Sequence, residues 1–182
     1  MNLSERLSTN FTLGELIESS TAARLGIENS PTPEQIQKLR WLASNLEMPR
    51  ALLVPLHVDS GFRCEALERA LCEPAYKAWC VKWEKDYGAN NYATSWLEYF
   101  VSKQHPFCEA ADLKSLVGLR SIDMCRRIAA SDIPFDQLIH EYDSWMHLSF
   151  AYPPSVPRRE ILTINASGTK IGLVETSKEV AQ

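Results

Sequence analysis

The sequence predicts an α+β fold in one domain spanning residues 1–182, and three observations lead to it. Apolar residues recur at helical spacing in the first half, as at Ile36, Leu39, Leu42 and Leu46. Short strand-like runs cluster later in the chain, and helices followed by strands are typical of the α+β class. Hydrophobic residues make up 45% of the chain, which is enough to bury a sizeable core.

The N-terminal part is predicted to hold two helices with a short segment between them. Thr12, with Glu15 three residues later, matches a capping box that begins a short helix. Gly26 is expected to end the next short segment, at 20–25. Thr32, followed by proline, begins a long core helix that Pro49 is expected to interrupt near its end.

The central part begins with a predicted strand and turn at 56–63 and a helix at 65–71. Residues 72–103 then form an aromatic-rich insertion that holds three of the five tryptophans and four of the six tyrosines. One interpretation is one or two amphipathic helices, broken near 88–91, whose aromatic faces pack on the body of the domain. The alternative is an aromatic wall over a substrate groove.

The C-terminal part supplies most of the predicted sheet. A short strand is expected at 110–113, followed by an amphipathic helix at 119–130. The segments 135–142 and 145–150 read as two strands joined in a hairpin. Residues 160–182 are predicted to form a last hairpin or a loose tail.

Charge and composition exclude several classes of function. Lys and Arg total 19 against 23 for Asp and Glu, so the net charge is −4 and the basic surplus of a nucleic-acid-binding domain is missing. No apolar run reaches the roughly 18 residues of a membrane span, and no secretory signal is visible, so we expect a cytoplasmic protein on synthesis. The five cysteines, odd in number and without a Cys-x-x-Cys pair, are expected to be reduced and packed.

Three residues in the second half have the side-chain types of a metal site. His105 precedes Asp112 by seven residues, and His147 lies on a later predicted strand. Two imidazoles and a carboxylate suit zinc, and three protein ligands leave a fourth position for water, as in catalytic zinc sites. By spacing alone, a surface His–Asp pair is the more common arrangement, so this pattern needs further support.

Three motifs resemble peptidase family M15, the zinc D-alanyl-D-alanine carboxypeptidases. They read Ser-Gly-Phe-Arg at 60–63, His-Pro-Phe-Cys-Glu-Ala-Ala-Asp at 105–112 and Trp-Met-His at 145–147. The family pattern runs Ser-Gly-Tyr-Arg, then Ser-x-His-x-x-Gly-x-Ala-x-Asp, then Trp-x-His. The resemblance covers most of residues 10–150 in the family's order and is closest to the branch found in phages and proteobacteria.

The resemblance implies a fold and an activity. The fold would be that of hedgehog and D-Ala-D-Ala-peptidase domains, with N-terminal helices packed on a small antiparallel sheet that carries a zinc site. The activity would be hydrolysis of peptidoglycan stem peptides, by a carboxypeptidase or an endopeptidase of the phage endolysin type. Such a protein, expected to be a monomer, would reach the cell wall after release from the cytoplasm or as part of a phage particle.

The resemblance also implies residue roles. The Zn²⁺ ligands would be His105, Asp112 and His147. Arg63 would hold the substrate or steady the developing oxyanion, although a structural salt bridge is an alternative. Glu141 would act as general base, with a solvated strand residue as the alternative and Asp143 as the reserve base.

The chain departs from the family pattern at two positions near the expected ligands. Cys108 replaces a glycine, which strains the backbone if that position needs a positive φ angle. Lys103 replaces a serine. The three expected ligands therefore match the family pattern, while the way in which the protein binds its substrate is expected to differ from that of the family. The two remaining histidines, His57 and His140, are expected to be structural.

Two other hypotheses remain open at the level of sequence. The first is a non-catalytic zinc-containing module that binds the cell wall or forms part of a virion, which the aromatic insertion favours. The second is a metal-free protein whose histidines serve only in packing. Metal analysis of the purified protein separates the second hypothesis from the others.

Overall fold

The computed structural model describes residues 1–53, 55–85, 87 and 92–175. The helices of this part are α1 (Leu13–Ile17), α2 (Ser20–Leu25), α3 (Pro33–Leu52), α4 (Glu65–Lys82), α5 (Tyr92–Phe100) and α6 (Ser121–Ala129). The strands are β1 (Leu56–Ser60), β2 (Ala110–Ser115), β3 (Phe135–Glu141), β4 (Trp145–Phe150), β5 (Glu160–Asn165) and β6 (Gly168–Ile171). The α+β class predicted from the sequence is confirmed. No helix within these residues is both long and apolar enough to cross a membrane.

The strands form one six-stranded sheet in the order β1-β2-β4-β3-β5-β6. The expectation of an antiparallel sheet is wrong at one pairing, because β5 runs parallel to β3. The connection at 151–159 leads back to the beginning of β3, where the backbone N–H of Arg158 donates to Asp136 Oδ1 at 2.9 Å. The chain therefore enters β5 in the same direction as β3, and the sheet is mixed.

The N-terminal helices begin and end largely as predicted. Thr12 and Thr32 both form capping boxes, and Gly26 ends α2 in the left-handed conformation. The expected interruption at Pro49 is wrong, because α3 continues to Leu52. The ring of Pro49 is buried near the end of the helix, where its missing N–H removes only one backbone hydrogen bond.

The main core lies between the helices and one face of the sheet. Side chains in a strand alternate between the two faces, so every second residue of β2 and β4 points into this core. The core combines residues of α3, α6 and the sheet, among them Leu39, Leu42, Leu46, Met124, Ile128, Leu113, Met146, Leu148 and Phe150. The intervening residues of the same strands therefore lie on the opposite face.

The aromatic insertion has a small core of its own. Its buried members are Tyr76, Cys80, Trp96 and Tyr99. The prediction of packing helices is thus right in kind, but these side chains pack against one another and not on the main core, and they are too buried to form an open wall. The end of the helix predicted at 65–71 is wrong, since α4 continues to Lys82, and the predicted break near 88–91 lies outside the described residues. All five cysteines are free, as expected.

Candidate metal centre

Strand alternation places two of the predicted ligands side by side. Asp112 of β2 and His147 of β4 are direct partners across an antiparallel pairing, on the face of the sheet opposite the main core. Their ligand atoms, Asp112 Oδ1 and His147 Nδ1, are 3.0 Å apart. Both residues are buried.

The third predicted ligand comes from a 3₁₀ turn at His105–Phe107, just before β2. His105 Nε2 lies 3.3 Å from both Asp112 Oδ1 and His147 Nδ1. Cys108 ends this turn with a φ of 61°, so the position does require the left-handed conformation that glycine adopts most easily. The Cys108 side chain is buried in the main core, which holds it in that conformation.

Hydrogen bonds on the far side of each imidazole determine where its proton lies. His105 Nδ1 is 2.7 Å from the carbonyl oxygen of Gly61, which can only accept, so this nitrogen carries the proton. His147 Nε2 is 3.1 Å from Gln104 Oε1. The Gln104 amide nitrogen donates to Asp136 Oδ2 at 2.8 Å, which leaves its oxygen to accept from His147.

When both imidazoles are neutral, three lone pairs therefore face one another with no hydrogen atom between them. The atoms are His105 Nε2, His147 Nδ1 and Asp112 Oδ1, and their separations are 3.0 to 3.3 Å. Ligands about 2.0–2.1 Å from a tetrahedral metal ion lie about 3.3 Å apart, so these separations match three corners of such a site. A cation removes the mutual repulsion of the lone pairs, and this group of residues can therefore hold a metal ion.

The pKa shifts favour the protonation states that a metal ligand needs. Burial tends to raise the pKa of Asp112, but the contacts with His105 and His147 outweigh it and hold that pKa well below its usual value. Burial lowers the pKa of His105. An ionised carboxylate and a neutral imidazole are the forms that bind metal ions.

Arg63 holds the outer oxygen of the Asp112 carboxylate. Its Nη2 donates to Asp112 Oδ2 at 2.6 Å, while Nε donates to Ser60 Oγ at 2.9 Å and Nη1 contacts Glu68 Oε2 at 3.3 Å. The structural salt bridge considered from the sequence is thus present. A metal ligand oriented by an outer partner in this way is held in one geometry.

Glu141 and Asp143 lie in different surroundings. Glu141, at the end of β3, lines a cavity of about 440 Å³ that also contains the three ligands and Arg63, and burial raises its pKa. Asp143 is outside the residues that line this cavity; its carboxylate lies 3.1 Å from His140 Nε2. The geometry therefore favours Glu141 over Asp143 as a group that meets a ligand in the cavity.

The two remaining histidines lie outside the cavity, as expected. His140 is buried, and its Nε2 is 3.1 Å from Ser121 Oγ of α6. His57 is exposed on β1, and its Nε2 is 4.0 Å from Asp59. Neither residue lines the cavity of the three ligands.

Sequence reasoning missed two residues that hold the ligands in place. Gln104 orients His147, and no local pattern distinguishes it from any other polar residue. Gly61 accepts the hydrogen bond of His105, and a Cβ atom at this position would overlap the carbonyl oxygen of Leu16. The glycine of the Ser-Gly-Phe-Arg motif was itself a signal, because glycine often occurs where another backbone segment lies too close to leave room for a side chain.

The cavity also contains a donor without a partner. The indole nitrogen of Trp145 is buried and has no hydrogen-bond acceptor among the described residues. The ligands and Glu141 make the cavity a polar site at which a bound molecule can be oriented. No family model, curated protein or solved structure matches the chain, so a functional assignment depends on the motifs and on this geometry.

Proposed function

We propose that the protein is a zinc-dependent peptidase, similar to peptidase family M15, that hydrolyses peptidoglycan stem peptides. The observation that carries this proposal is the convergence of three lone pairs, from His105, Asp112 and His147, in a cavity that Glu141 also lines. Two imidazoles and one carboxylate suit zinc, and three ligands leave a position open for water. Zinc, when bound, lowers the pKa of water from about 15.7 toward 7 and polarises the scissile carbonyl.

Glu141 is the proposed general base and acid. Burial raises the pKa of its carboxyl group, which brings that pKa closer to neutral pH, where proton transfer in both directions is most efficient. The carboxylate takes a proton from the attacking water and passes it to the departing amine. A positioned group of this kind contributes on the order of 10²–10⁴ in rate.

Arg63 is proposed to act first through Asp112. Its guanidinium group is shared between Asp112 and Glu68, so it keeps the Asp112 carboxylate in one orientation. Its positive charge lies in the wall of the same cavity and favours a developing oxyanion there. A substitution of Arg63 is therefore expected to weaken zinc binding as well as turnover.

The resemblance supports a lytic role of the phage endolysin type. In this proposal the protein is a cytoplasmic monomer on synthesis and reaches the cell wall after release, or as part of a phage particle. Its substrate is the peptide part of peptidoglycan, with no nucleic-acid partner and no insertion into the membrane.

The test is hydrolysis of isolated sacculi by the purified, zinc-loaded protein, with mass spectrometry of the soluble fragments. A new N-terminus inside the stem peptide identifies an endopeptidase, and loss of one terminal D-alanine identifies a carboxypeptidase. Bound zinc and affinity for sacculi without any released fragment would contradict the proposal and favour a non-catalytic wall-binding module.

Site variants assign the roles within this test. Alanine in place of His105, Asp112 or His147 is expected to abolish both zinc binding and hydrolysis. Glu141→Gln is expected to retain zinc and lose hydrolysis, while the matched variant Asp143→Asn retains both. Full hydrolysis by Glu141→Gln would refute the assignment of the base.

A further inference from the structure

A second cavity adjoins the candidate metal centre. Its volume is about 650 Å³, and it shares Ser102, Lys103 and Gln104 with the cavity of the ligands. A molecule bound at the metal centre can therefore extend into it. Two of its charged groups, Asp136 and Arg158, neutralise each other in an ion pair of 2.6 Å.

Lys103 stands at the junction of the two cavities, and no carboxylate of the described residues pairs with it. Its ammonium group lies 3.8 Å from the centre of the Tyr99 ring, and within the described part of the chain it makes no hydrogen bond or ion pair. The carboxylate of Glu68, on neighbouring α4, is in contact with Arg63 instead. The cavity thus presents a cation that forms no hydrogen bond with the described protein groups and can donate to a bound molecule.

Glu109 presents the opposite charge in the second cavity. Its carboxyl group is half-buried and, among the described residues, has neither a hydrogen bond nor an ion pair. Lys38 does not pair with it, since the Lys38 ammonium lies over the Tyr152 ring at 4.7 Å. Lys103 and Glu109 line the same cavity and also do not pair with each other.

We infer that this second cavity is a substrate subsite for a zwitterionic group, meaning a substrate side chain that ends in both an ammonium and a carboxylate. Lys103 binds the carboxylate and Glu109 binds the ammonium. The aliphatic part of the side chain lies against the apolar wall of the cavity, which includes Val101, Phe107 and Val156. The choice of a peptide substrate rests on the proposed peptidase function. The binding of a zwitterionic group by Lys103 and Glu109 does not depend on that function.

The selectivity follows from the cost of leaving half-buried charges unpaired. A zwitterionic group satisfies Lys103 and Glu109 together, whereas a group with a single charge leaves one of them without a partner. A neutral group leaves both unpaired and removes water from them as well. Both the affinity and the preference for this substrate class therefore depend on the two side chains acting as a pair.

The experiment is a binding titration with three matched acetylated dipeptides, each ending in D-alanine. Their first residue is diaminopimelate, lysine or norleucine, so the side chain ends in a zwitterion, a cation or a methyl group. Calorimetry uses the full chain loaded with zinc and carrying Glu141→Gln, so that binding is measured without turnover. Lys103→Met and Glu109→Gln are compared with the matched surface variant Lys82→Met.

The diaminopimelate probe is expected to bind about tenfold or more tightly than the norleucine probe, the effect of one or more charge-assisted hydrogen bonds. Each cavity variant is expected to remove most of this preference, because it weakens binding of the diaminopimelate probe and removes part of the cost of binding norleucine. The zinc content is expected to stay unchanged, and Lys82→Met is expected to keep the preference. Equal affinities for the three probes, or a preference that survives both cavity variants, would overturn the subsite.

The outcome is separable from that of the proposed function. Hydrolysis of sacculi by the wild-type protein with no probe preference would leave the peptidase standing and refute the subsite. A zwitterion preference that depends on Lys103 and Glu109, in a protein that releases no peptide, would support the subsite and refute the peptidase.

Discussion

Replacing Gln104 with methionine is expected to weaken zinc binding about 10- to 100-fold, which corresponds to about 1.4–2.7 kcal/mol. In the wild type, Gln104 Oε1 accepts from His147 Nε2 at 3.1 Å and so keeps the lone pair on Nδ1. Without that acceptor the proton moves to Nδ1, where Asp112 Oδ1 at 3.0 Å can accept it. The resulting hydrogen bond occupies the two atoms that zinc needs and must be broken before the metal binds.

Competition with a chromophoric chelator measures the zinc affinity, and nitrogen NMR of the metal-free protein reports the His147 tautomer. Gln137→Met is the matched control, because Gln137 lines the same cavity but donates to Glu160 and contacts no ligand. Unchanged zinc affinity in Gln104→Met, with the His147 proton still on Nε2, would refute the reasoning. A similar loss of zinc affinity in Gln137→Met would mean that any polar-to-apolar substitution in the cavity weakens zinc binding, whether or not it changes the His147 tautomer.

Four further outcomes test the fold and the site. Gly61→Ala should lower the free energy of unfolding by about 1–3 kcal/mol in urea titrations, because its Cβ would overlap a backbone carbonyl oxygen of α1. Tyr76→Ala should cost about 3 kcal/mol in the same assay, since Tyr76 fills the core of the insertion; a negligible loss would mean that this core contributes little. Burial tends to raise the pKa of Asp136, but hydrogen bonds from Arg158 outweigh it and lower that pKa. Arg158→Met should therefore destabilise the protein at neutral pH, and the difference should fade as the pH drops below about 4 and Asp136 becomes protonated. Zinc at a thousandfold its dissociation constant should raise the free energy of unfolding by about 4 kcal/mol, and a chelator should reverse this in thermal melts.

The three residues that can hold a metal ion could be selected from the sequence because few residue types bind metal ions and because the motifs keep the order of the family they resemble. That Asp112 and His147 share a face follows only from the register of the β2–β4 pairing, which places them directly opposite each other. The helix caps at Thr12 and Thr32 were predictable from the sequence, since a capping box requires only residues three positions apart.

The mixed sheet could not be predicted in the same way. Whether β5 pairs parallel or antiparallel depends on the path of the chain through 151–159, and no local pattern encodes that path. The same holds for Pro49, where the packing of α3 against the core outweighs a residue that usually ends a helix. In both places long-range packing outweighs local preference.

The sequence by itself determined which side chains can bind a metal ion and where most helices begin. Only the tertiary structure decided what surrounds those side chains: the acceptor at Gln104, the salt bridges of Arg63, and the unpaired charges of Lys103 and Glu109 beside the site. The physical reason is the separation along the chain between the residues that interact. A cap or an alternating face is set by neighbours a few positions away, whereas His147 and its acceptor are 43 positions apart and meet only when the sheet has formed.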